Sequence, residues 1–522
     1  MRWQDTAMRL GIILLVVWGV NILISWGMNR YFGSQRPTTQ ESVQTGERVA
    51  IVAKEIEQPR KLEMDFVDTP RVGVDERAVA KGRDMTYQFS TFGASLDSVE
   101  ETRLLGGSVG ELVVLAPCGP EEREHRALMV AFDEMTPFFY QNMGSKEEAG
   151  VRSITYVGES PHVRVTKEFR IPSEGVTVEL VLTVEPLKDG GTVHPRLFLP
   201  SPHLSDLVGR DVISAVIAGL NKPLEKWSIA DATKEVAWAL PEIVGVQDKY
   251  FVFAMVKDSD AFARRTYFRQ EQGNRLTAIV EGPAVKKKTT WHLSLYFGPK
   301  EAARLAEVDK RLEKLLEYGW LAPISKALMF LLNFLNRYVH NYGFAIILLT
   351  LLIRLVMLPL TSRGEDSMRK QKEFSRKLKL LEQKYADDPE RLAQERVVLV
   401  KEHGLLPGGC LPLLLQVPIF FALSWALNSS IELYRAPFIW WMKDLSASDP
   451  SYILPILAGL SIYLTTGSTT GNDPRQKIAM VIMSLVFAGV ALNMSVGLLL
   501  FICASSFFGY AQTVLMKKWR RA

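Results

Sequence analysis

The chain has little of what nucleotide-driven or metal-dependent enzymes need. Its 522 residues include only three cysteines, and it has neither the Cys-x-x-Cys nor the His-Glu-x-x-His spacing of zinc sites. It contains no Gly-Lys dipeptide, so a Walker A loop for ATP is absent. We therefore expect no enzyme activity, no cofactor and no metal site.

A strong net charge is also missing. The net charge is +5 at pH 7 over the whole chain, whereas nucleic-acid binders carry dense basic patches. We therefore expect no specific nucleic-acid partner. Cys118, Cys410 and Cys503 are widely separated, and two of them fall in apolar runs. A disulfide framework is therefore not expected.

Long apolar runs are what the chain does have. Its overall composition, 48% hydrophobic and 23% charged, is typical of a soluble protein. That average hides a split, because residues 60–320 are mixed and turn-rich while residues 323–516 carry most of the long apolar runs. The sequence thus predicts a water-exposed domain followed by a membrane bundle.

The first apolar run, residues 10–24, predicts an N-terminal transmembrane anchor over residues 1–28. A cleaved signal peptide is the alternative, but bulky residues surround its best small-x-small cleavage site, at residues 25–27. Two arginines precede the run, which predicts a cytoplasmic N-terminus. Residues 29–60 have few apolar groups to bury and predict a flexible linker.

Residues 61–300 have the period-2 pattern of strands. Apolar and polar residues alternate over 163–171, 176–184 and 291–297, with turn-forming residues between such runs. This pattern predicts antiparallel strands with one buried face, and so many short strands predict a sandwich. The domain is extracytoplasmic if the anchor is retained.

Residues 301–341 change to a helical period. Five apolar residues between 305 and 316 fall on one helical face, with charges opposite. The stretch 323–340 is apolar but interrupted by recurring polar residues, and the next apolar run follows it without a loop. We therefore predict amphipathic helices here, the second lying in the membrane interface rather than crossing it.

Residues 342–360 form an apolar run long enough to cross a bilayer, yet Arg354 lies inside it. An arginine near the hydrocarbon centre is costly and by default marks a functional site. Thr350 shares its helical face. The other predicted spans contain no Asp or Glu, so candidate partners are neutral: Gln416, Ser424, Thr465, Thr466, Ser484, Asn493, Ser505 and Ser506. Arg354 is satisfied by such groups for structure only, or it lines a water-filled recess that attracts acidic segments.

Further apolar runs and charged loops complete the organisation. Pro359 and residues 361–364 are expected to end the second span, and residues 361–408 to form a charged helical hairpin in the cytoplasm. The remaining predicted segments are spans 409–428, 451–466, 478–496 and 498–515, a periplasmic loop 429–450, a cytoplasmic loop 467–477, and a basic cytoplasmic tail 516–522. The Lys/Arg distribution then gives six spans with both termini in the cytoplasm.

Several ordered motifs resemble the YidC/Oxa/Alb membrane protein insertases. They are YGFAIILLTLLIRLVMLPL at 342–360, GGCLPLLLQVPIFFAL at 408–423 and APFIWWMKDLSASDPSYILPIL at 436–457. The segments VQDKYF at 246–251 and YGWL at 318–321 are similar to the Gram-negative YidC form. That form implies six transmembrane helices, five of them forming the core, and a large periplasmic all-β supersandwich.

The resemblance also implies a function. Such a protein inserts nascent membrane proteins without a nucleotide, through a hydrophilic groove open to the cytoplasm and to lipid, alone or beside the SecYEG translocon. The ribosome and the signal recognition particle receptor are further expected partners. The groove residues implied are Arg354, Thr350 and Gln416, and further candidates for the groove lining are Ser424, Thr465, Asn493, Phe501 and Ile502. The last two replace a tyrosine pair that the family usually carries.

Two other functions remain open on the residues alone. A solute transporter could use Arg354 as an anion site, although no inverted repeat of broken helices is present among the spans. A scaffold or receptor could instead work through the β domain. Deleting much of 60–300 separates these alternatives, because an insertase core should survive the deletion and a receptor should not.

Overall fold

The computed structural model describes residues 73–101, 113–115, 126–133, 135–188, 191–202, 213–219, 222–234, 237–271, 275–385, 388–403, 411–469 and 474–519. These residues belong to one compact unit, Pro59–Ala522. The predicted anchor at 1–28 and the linker at 29–60 lie outside the described residues.

The first half of the described chain is a β domain. Its strands are β1 (Arg77–Lys81), β2 (Met85–Ser90), β3 (Ser95–Glu101), β4 (Val113–Leu115), β5 (Val130–Ala131), β6 (Gln141–Glu148), β7 (Val151–Glu159), β8 (Val163–Pro172), β9 (Val178–Pro186), β10 (Arg196–Pro200), β11 (Ser214–Gly219), β12 (Glu225–Ser228), β13 (Trp238–Ala239), β14 (Pro241–Gln247), β15 (Phe251–Asp258), β16 (Arg265–Glu271), β17 (Arg275–Glu281) and β18 (Thr289–Pro299).

The described strands form antiparallel sheets that enclose one large apolar core. A nine-stranded sheet has the order β12-β11-β14-β15-β18-β9-β8-β7-β6, a five-stranded sheet β13-β16-β17-β10-β5, and a four-stranded sheet β1-β2-β3-β4. Burial alternates along β8, where Val163, Val165 and Phe169 are buried and their neighbours are not. The period-2 runs therefore predicted real strands, and the β-rich domain is confirmed.

The helices are α1 (Ile229–Ala232), α2 (Ala302–Val308), α3 (Ala322–Val339), α4 (Tyr342–Lys384), α5 (Pro389–His403), α6 (Leu411–Ser429), α7 (Ile453–Thr469), α8 (Pro474–Ala491) and α9 (Val496–Trp519). Short 3-10 helices occupy Lys310–Leu315 and Ile431–Leu433. In the bundle, α3 packs on α4 and α6, α9 packs on α4, α6 and α7, and α8 packs on α7.

The apolar face predicted between 305 and 316 belongs to the β domain and not to a membrane surface. Helix α2 ends at Val308. The next residue, Asp309, has an extended backbone, and its carboxylate accepts a hydrogen bond from the Arg311 N–H at 2.7 Å. A 3-10 helix follows, so the two helical pieces share one apolar face. Their buried residues, Leu305, Leu312 and Leu315, pack on the outside of the nine-stranded sheet.

Helix α4 does not end where the sequence predicted. Pro359 and Gly364 lie inside one continuous helix that runs to Lys384, so the charged segment after the apolar run extends the same rod. Thr361 supports this region by donating a hydrogen bond to the Met357 carbonyl at 2.7 Å. The residues beyond Gly364 are mostly strong helix formers, which outweigh the single amide donor that a proline removes.

The other apolar runs correspond to helices with shifted bounds. The largest shift concerns the run at 478–496, because α8 begins at Pro474 and ends at Ala491. Two described segments, Tyr342–Pro359 and Val496–Leu515, are long and apolar enough to cross a membrane, and Ile453–Leu464 and Ile478–Ala491 are shorter apolar helices. The count of six spans therefore stays a prediction.

Candidate functional site

The bundle is closely packed at the end that adjoins the β domain. We call residues 322–350, 422–458 and 491–502 the outer half, and all members of the bundle's buried apolar cluster belong to it. Leu349 in α4 and Leu499 in α9, for example, are 0% exposed. Side chains at this end fill the space between the helices, so it has the packing of a protein core.

The inner half is open by comparison. We define it as residues 351–361, 416–421, 459–490 and 503–515, and among the residues described there no apolar side chain is buried. Leu355 in α4 is 59% exposed. Contiguous apolar surface of this kind belongs against lipid or a partner rather than water.

Arg354 lies in this open half, partly buried between α4 and α9. Its Nη2 donates a hydrogen bond to Ser505 Oγ at 2.8 Å. Gln416 Nε2 from α6 approaches the same hydroxyl at 3.5 Å, the long limit for such a bond. Because α4 begins at Tyr342, Arg354 lies about 18 Å along the helix, within the segment Tyr342–Pro359 that is long and apolar enough to cross a membrane. Three helices thus meet at Ser505.

Gly509 gives the guanidinium its place against α9. A Cβ on Gly509 would lie 3.2 Å from Arg354 Nη2 and 3.3 Å from its Cζ. One turn further, Gln512 Nε2 donates a hydrogen bond to Thr361 Oγ1 at 3.1 Å. Ser505, Gly509 and Gln512 are four and three residues apart, and Arg354 and Thr361 are seven apart, so each set shares one face of its helix. We call Arg354, Thr361, Gln416, Ser505, Gly509 and Gln512 the polar seam.

The charge of the polar seam is not neutralised by the described residues. No Asp or Glu among them pairs with Arg354, and its buried Nε has no hydrogen-bond partner there. An arginine cannot lose its proton in a protein, so the site keeps its positive charge. A buried donor without a partner is costly, which favours water or an acidic group beside it. No cluster of His, Cys, Asp or Glu that could hold a metal occurs in the described ranges.

The residues predicted to accompany Arg354 on the same or neighbouring helices have different surroundings. Thr350 is 1% exposed, and its hydroxyl donates a hydrogen bond to the Ile346 carbonyl at 2.6 Å. Its hydroxyl proton is therefore bonded within its own helix. Gln416 does join the polar seam. Ser424 lies eight positions further along α6, about 12 Å away, and its hydroxyl accepts a 3.4 Å contact from Asn428.

Among the described residues, no contact joins the remaining candidates to Arg354. Asn493 is exposed in the turn after α8, outside the helix in which the sequence had placed it. Phe501 and Ile502 are 2% and 8% exposed in the packed outer half, one turn before Ser505. Thr465 lies within α7, and its side chain is outside the described part.

Four members of the polar seam were not selected from the sequence: Thr361, Ser505, Gly509 and Gln512. Ser505 was one of eight neutral candidates that nothing in the sequence ranked. Gly509 carries no side-chain signal at all, and its role is visible only in the contact with the guanidinium. A helical face of polar and small residues in α9, running from Ser505 through Gly509 to Gln512, is the one pattern that points to both.

Comparisons with known proteins give the chain its family. Residues 334–522 match the family model described as 60Kd inner membrane protein, and residues 214–331 match the model described as YidC periplasmic domain. The chain belongs to the YidC/Oxa family. Membership assigns it to the bacterial inner membrane and accounts for a β domain joined to a helical bundle.

Relatives in this family are named as insertases. The membrane protein insertase YidC of Pasteurella multocida (strain Pm70) is 38% identical over 301 residues, 56% of this chain and 54% of that protein. The membrane protein insertase YidC of Geobacter sp. (strain M21) is 34% identical over 291 residues, which are 55% of this chain and 53% of that protein. The chain thus matches about half the length of these curated relatives. Their names describe insertion and no covalent reaction, which confirms the expectation of a non-enzymatic family.

Among solved structures, an active YidC insertase with its first transmembrane domain resolved aligns with 85% of this chain and 93% of its own. That alignment has 17% identity and a TM-score of 0.37.

Proposed function

We propose that this chain inserts nascent membrane proteins into the bacterial inner membrane, and that the polar seam receives their hydrophilic segments. One observation carries the proposal. Arg354 is a permanent cation among apolar helices, with a single side-chain hydrogen bond and a buried Nε that lacks a partner in the described part of the chain. The names of the relatives agree with this function.

The site suits a transient acidic guest. Ser505, Gln416 and Thr361 are neutral, so they can accept or donate hydrogen bonds without cancelling the charge of Arg354. Attraction between Arg354 and a carboxylate strengthens as the local dielectric falls, and it falls inside a membrane. The open inner half leaves room for water and for the guest beside the polar seam.

Insertion then needs no chemical step. A short acidic segment enters the polar seam from the cytoplasmic side, which shortens the hydrocarbon it must cross. The apolar helix of the substrate slides into lipid along the exposed faces of the bundle, and burial contributes about 25 cal/mol per Å². A membrane potential, positive outside, adds about 2.3 kcal/mol per negative charge per 100 mV.

The finer organisation belongs to the same proposal. The chain has six spans with both termini in the cytoplasm, and the β domain lies in the periplasm. Arg354, Thr350 and Gln416 belong to the groove, and α4 beyond Thr361 with α5 receives substrates. Nascent membrane proteins and lipid are direct partners, and the SecYEG translocon, the ribosome and the signal recognition particle receptor are the expected cooperating ones.

The test is an insertion assay in proteoliposomes. A single-span substrate carries either an acidic or a neutral outer tail, and protection of the tail from added protease measures insertion. We expect Arg354→Ala to lose most insertion of the acidic substrate and less of the neutral one. Arg337→Ala is the matched control, since Arg337 is an exposed arginine on α3 outside the polar seam.

The outcomes separate the alternatives. Insertion by the wild type that is lost in a well-folded Arg354→Ala protein supports the proposal. Equal insertion by both proteins limits Arg354 to a structural role and overturns the charged-site part of the proposal. No insertion even by the wild type favours a transporter or a receptor.

A further inference from the structure

The loop after α6 is built into the β domain. Ile431 and Tyr434 are 0% and 2% exposed and belong to the same apolar core as the sheets. The rings of Tyr434 and Tyr250 lie with centroids 5.1 Å apart. Since α6 ends at Ser429, only a few residues separate the helix from this contact. The outer end of α6 is therefore fixed to the β domain.

On the β-domain side, Tyr250 is buried in a tight bend of the chain that follows β14. Asp248 Oδ1 accepts hydrogen bonds from the N–H groups of Tyr250 and Phe251 at 2.7 and 2.6 Å. Lys300 Nζ donates to the Asp248 carbonyl at 2.7 Å and to Gln247 Oε1 at 3.3 Å. These contacts fix the backbone that carries Tyr250, so the residue can serve as a fixed reference point.

A second contact holds the middle of α6. Gly319 has a φ of 63°, and a Cβ on it would lie 2.5 Å from the Trp425 ring, so the chain leaving the β domain presses directly on α6. Six residues after Gly319, Ser325 Oγ lies 2.8 Å from the Ala422 carbonyl and 3.2 Å from the Tyr318 carbonyl. The two segments outside the bundle that resemble the family, 246–251 and 318–321, thus both lie where the β domain meets α6.

We infer that the β domain positions α6, and that Tyr434 and Tyr250 are positioning residues which set where Gln416 meets Ser505 in the polar seam. Helix α6 is continuous from Gln416 to the loop, so a fixed outer end constrains the inner end. Pro418 lies between the two, and a bend there is the alternative to rigid transmission. The inference concerns geometry and does not depend on what enters the polar seam.

The test measures that geometry without a substrate. In a chain with Cys118, Cys410 and Cys503 replaced by serine, Gln416→Cys and Ser505→Cys are joined by a short bifunctional thiol reagent, and the cross-linking rate is measured in membranes. We expect Tyr434→Ala to lower this rate about two- to tenfold, the range that an aromatic pair contributes. Tyr434→Phe keeps the ring and should restore the parent rate.

Two more variants keep the inference falsifiable. Tyr250→Leu keeps apolar volume in the β domain but removes the ring pair, so it should slow cross-linking like Tyr434→Ala even if that variant folds poorly. Trp440→Ala is the control, because this exposed ring lies in the same loop and contacts Trp441 instead. Parent rates in both Tyr434→Ala and Tyr250→Leu would mean that α6 bends at Pro418, and would overturn the inference.

Discussion

The outer and inner halves of the bundle are built from similarly apolar helices but differ in packing. In α4, Leu349 is 0% exposed, whereas Leu355, less than two turns later, is 59% exposed. In α9 the change from buried to more exposed apolar side chains falls after Ile502. Ser505 and Gly509 face Arg354 just beyond this point. Hydrophobicity alone thus cannot tell a helix face that fills a core from one that faces lipid or a guest.

The difference follows from what anchors each half. The outer half is filled by α3 and by the loop between α6 and α7, and it is fixed to the β domain through Tyr434. The inner half has no comparable filling among the described residues, and it holds a cation that a dry core would exclude. A bundle closed at one end and open at the other is the shape that a one-sided groove requires.

The largest expected effect contrasts two leucines on one helix. We expect Leu349→Ala to lower the free energy of unfolding by about 2–5 kcal/mol, because it leaves a cavity in the packed half. Leu355→Ala should change it by no more than about 0.5 kcal/mol, since the side chain is mostly exposed. Denaturant unfolding in bicelles measures both. Similar losses of unfolding free energy in the two variants would contradict the difference in packing between the outer and inner halves.

A smaller effect is expected where Arg354 rests on α9. Gly509→Leu places a side chain where the guanidinium lies, so the bond to Ser505 should be displaced and insertion of an acidic-tailed substrate should fall about tenfold. Gly489→Leu is the matched control, because nothing lies within 4 Å of a Cβ there. Undiminished insertion by Gly509→Leu would mean that insertion does not depend on the position of the guanidinium.

The last expected effect concerns Lys300, which is buried beside Tyr250 and whose N–H donates to the Tyr250 carbonyl at 2.7 Å. Burial, helped by Lys226, lowers the pKa of Lys300 to about 8, below the value of about 10.4 for a lysine in the unfolded chain. Between these values the unfolded state binds more protons, so stability rises with pH. The melting temperature of the wild type should therefore rise relative to Lys300→Met from pH 8 to pH 10. A constant difference between the two would contradict a dehydrated Lys300 in the folded protein.

Sequence reasoning found the elements whose periodicity is set by one dominant environment. The strand β8 alternates because one of its faces is buried, and Arg354 stands out because a cation interrupts an apolar run. It failed at the ends of helices. The helix through Pro359 continues because the residues after it favour helix, and Asn493 falls outside α8 because that helix ends at Ala491.

The sequence could not predict which polar side chains of the bundle contact each other. Many neutral polar side chains lie in apolar runs, and only packing decides that Ser505 faces Arg354 while Thr350 bonds to its own helix. Likewise, nothing in the residues near 431–434 indicated that they enter the core of the β domain. Contacts between elements far apart in sequence carry no periodic signal.

Water access to the polar seam tests the central claim most directly. In a cysteine-free chain reconstituted with its inner side accessible, single cysteines at Gln416 and at Ala426 are exposed to a membrane-impermeant thiol reagent. Ala426 lies on the same helix and is 0% exposed in the packed half. We predict rapid modification of Gln416→Cys and protection of Ala426→Cys. Protection of both, or equal modification of both, would contradict a bundle that is open and hydrated at one end only.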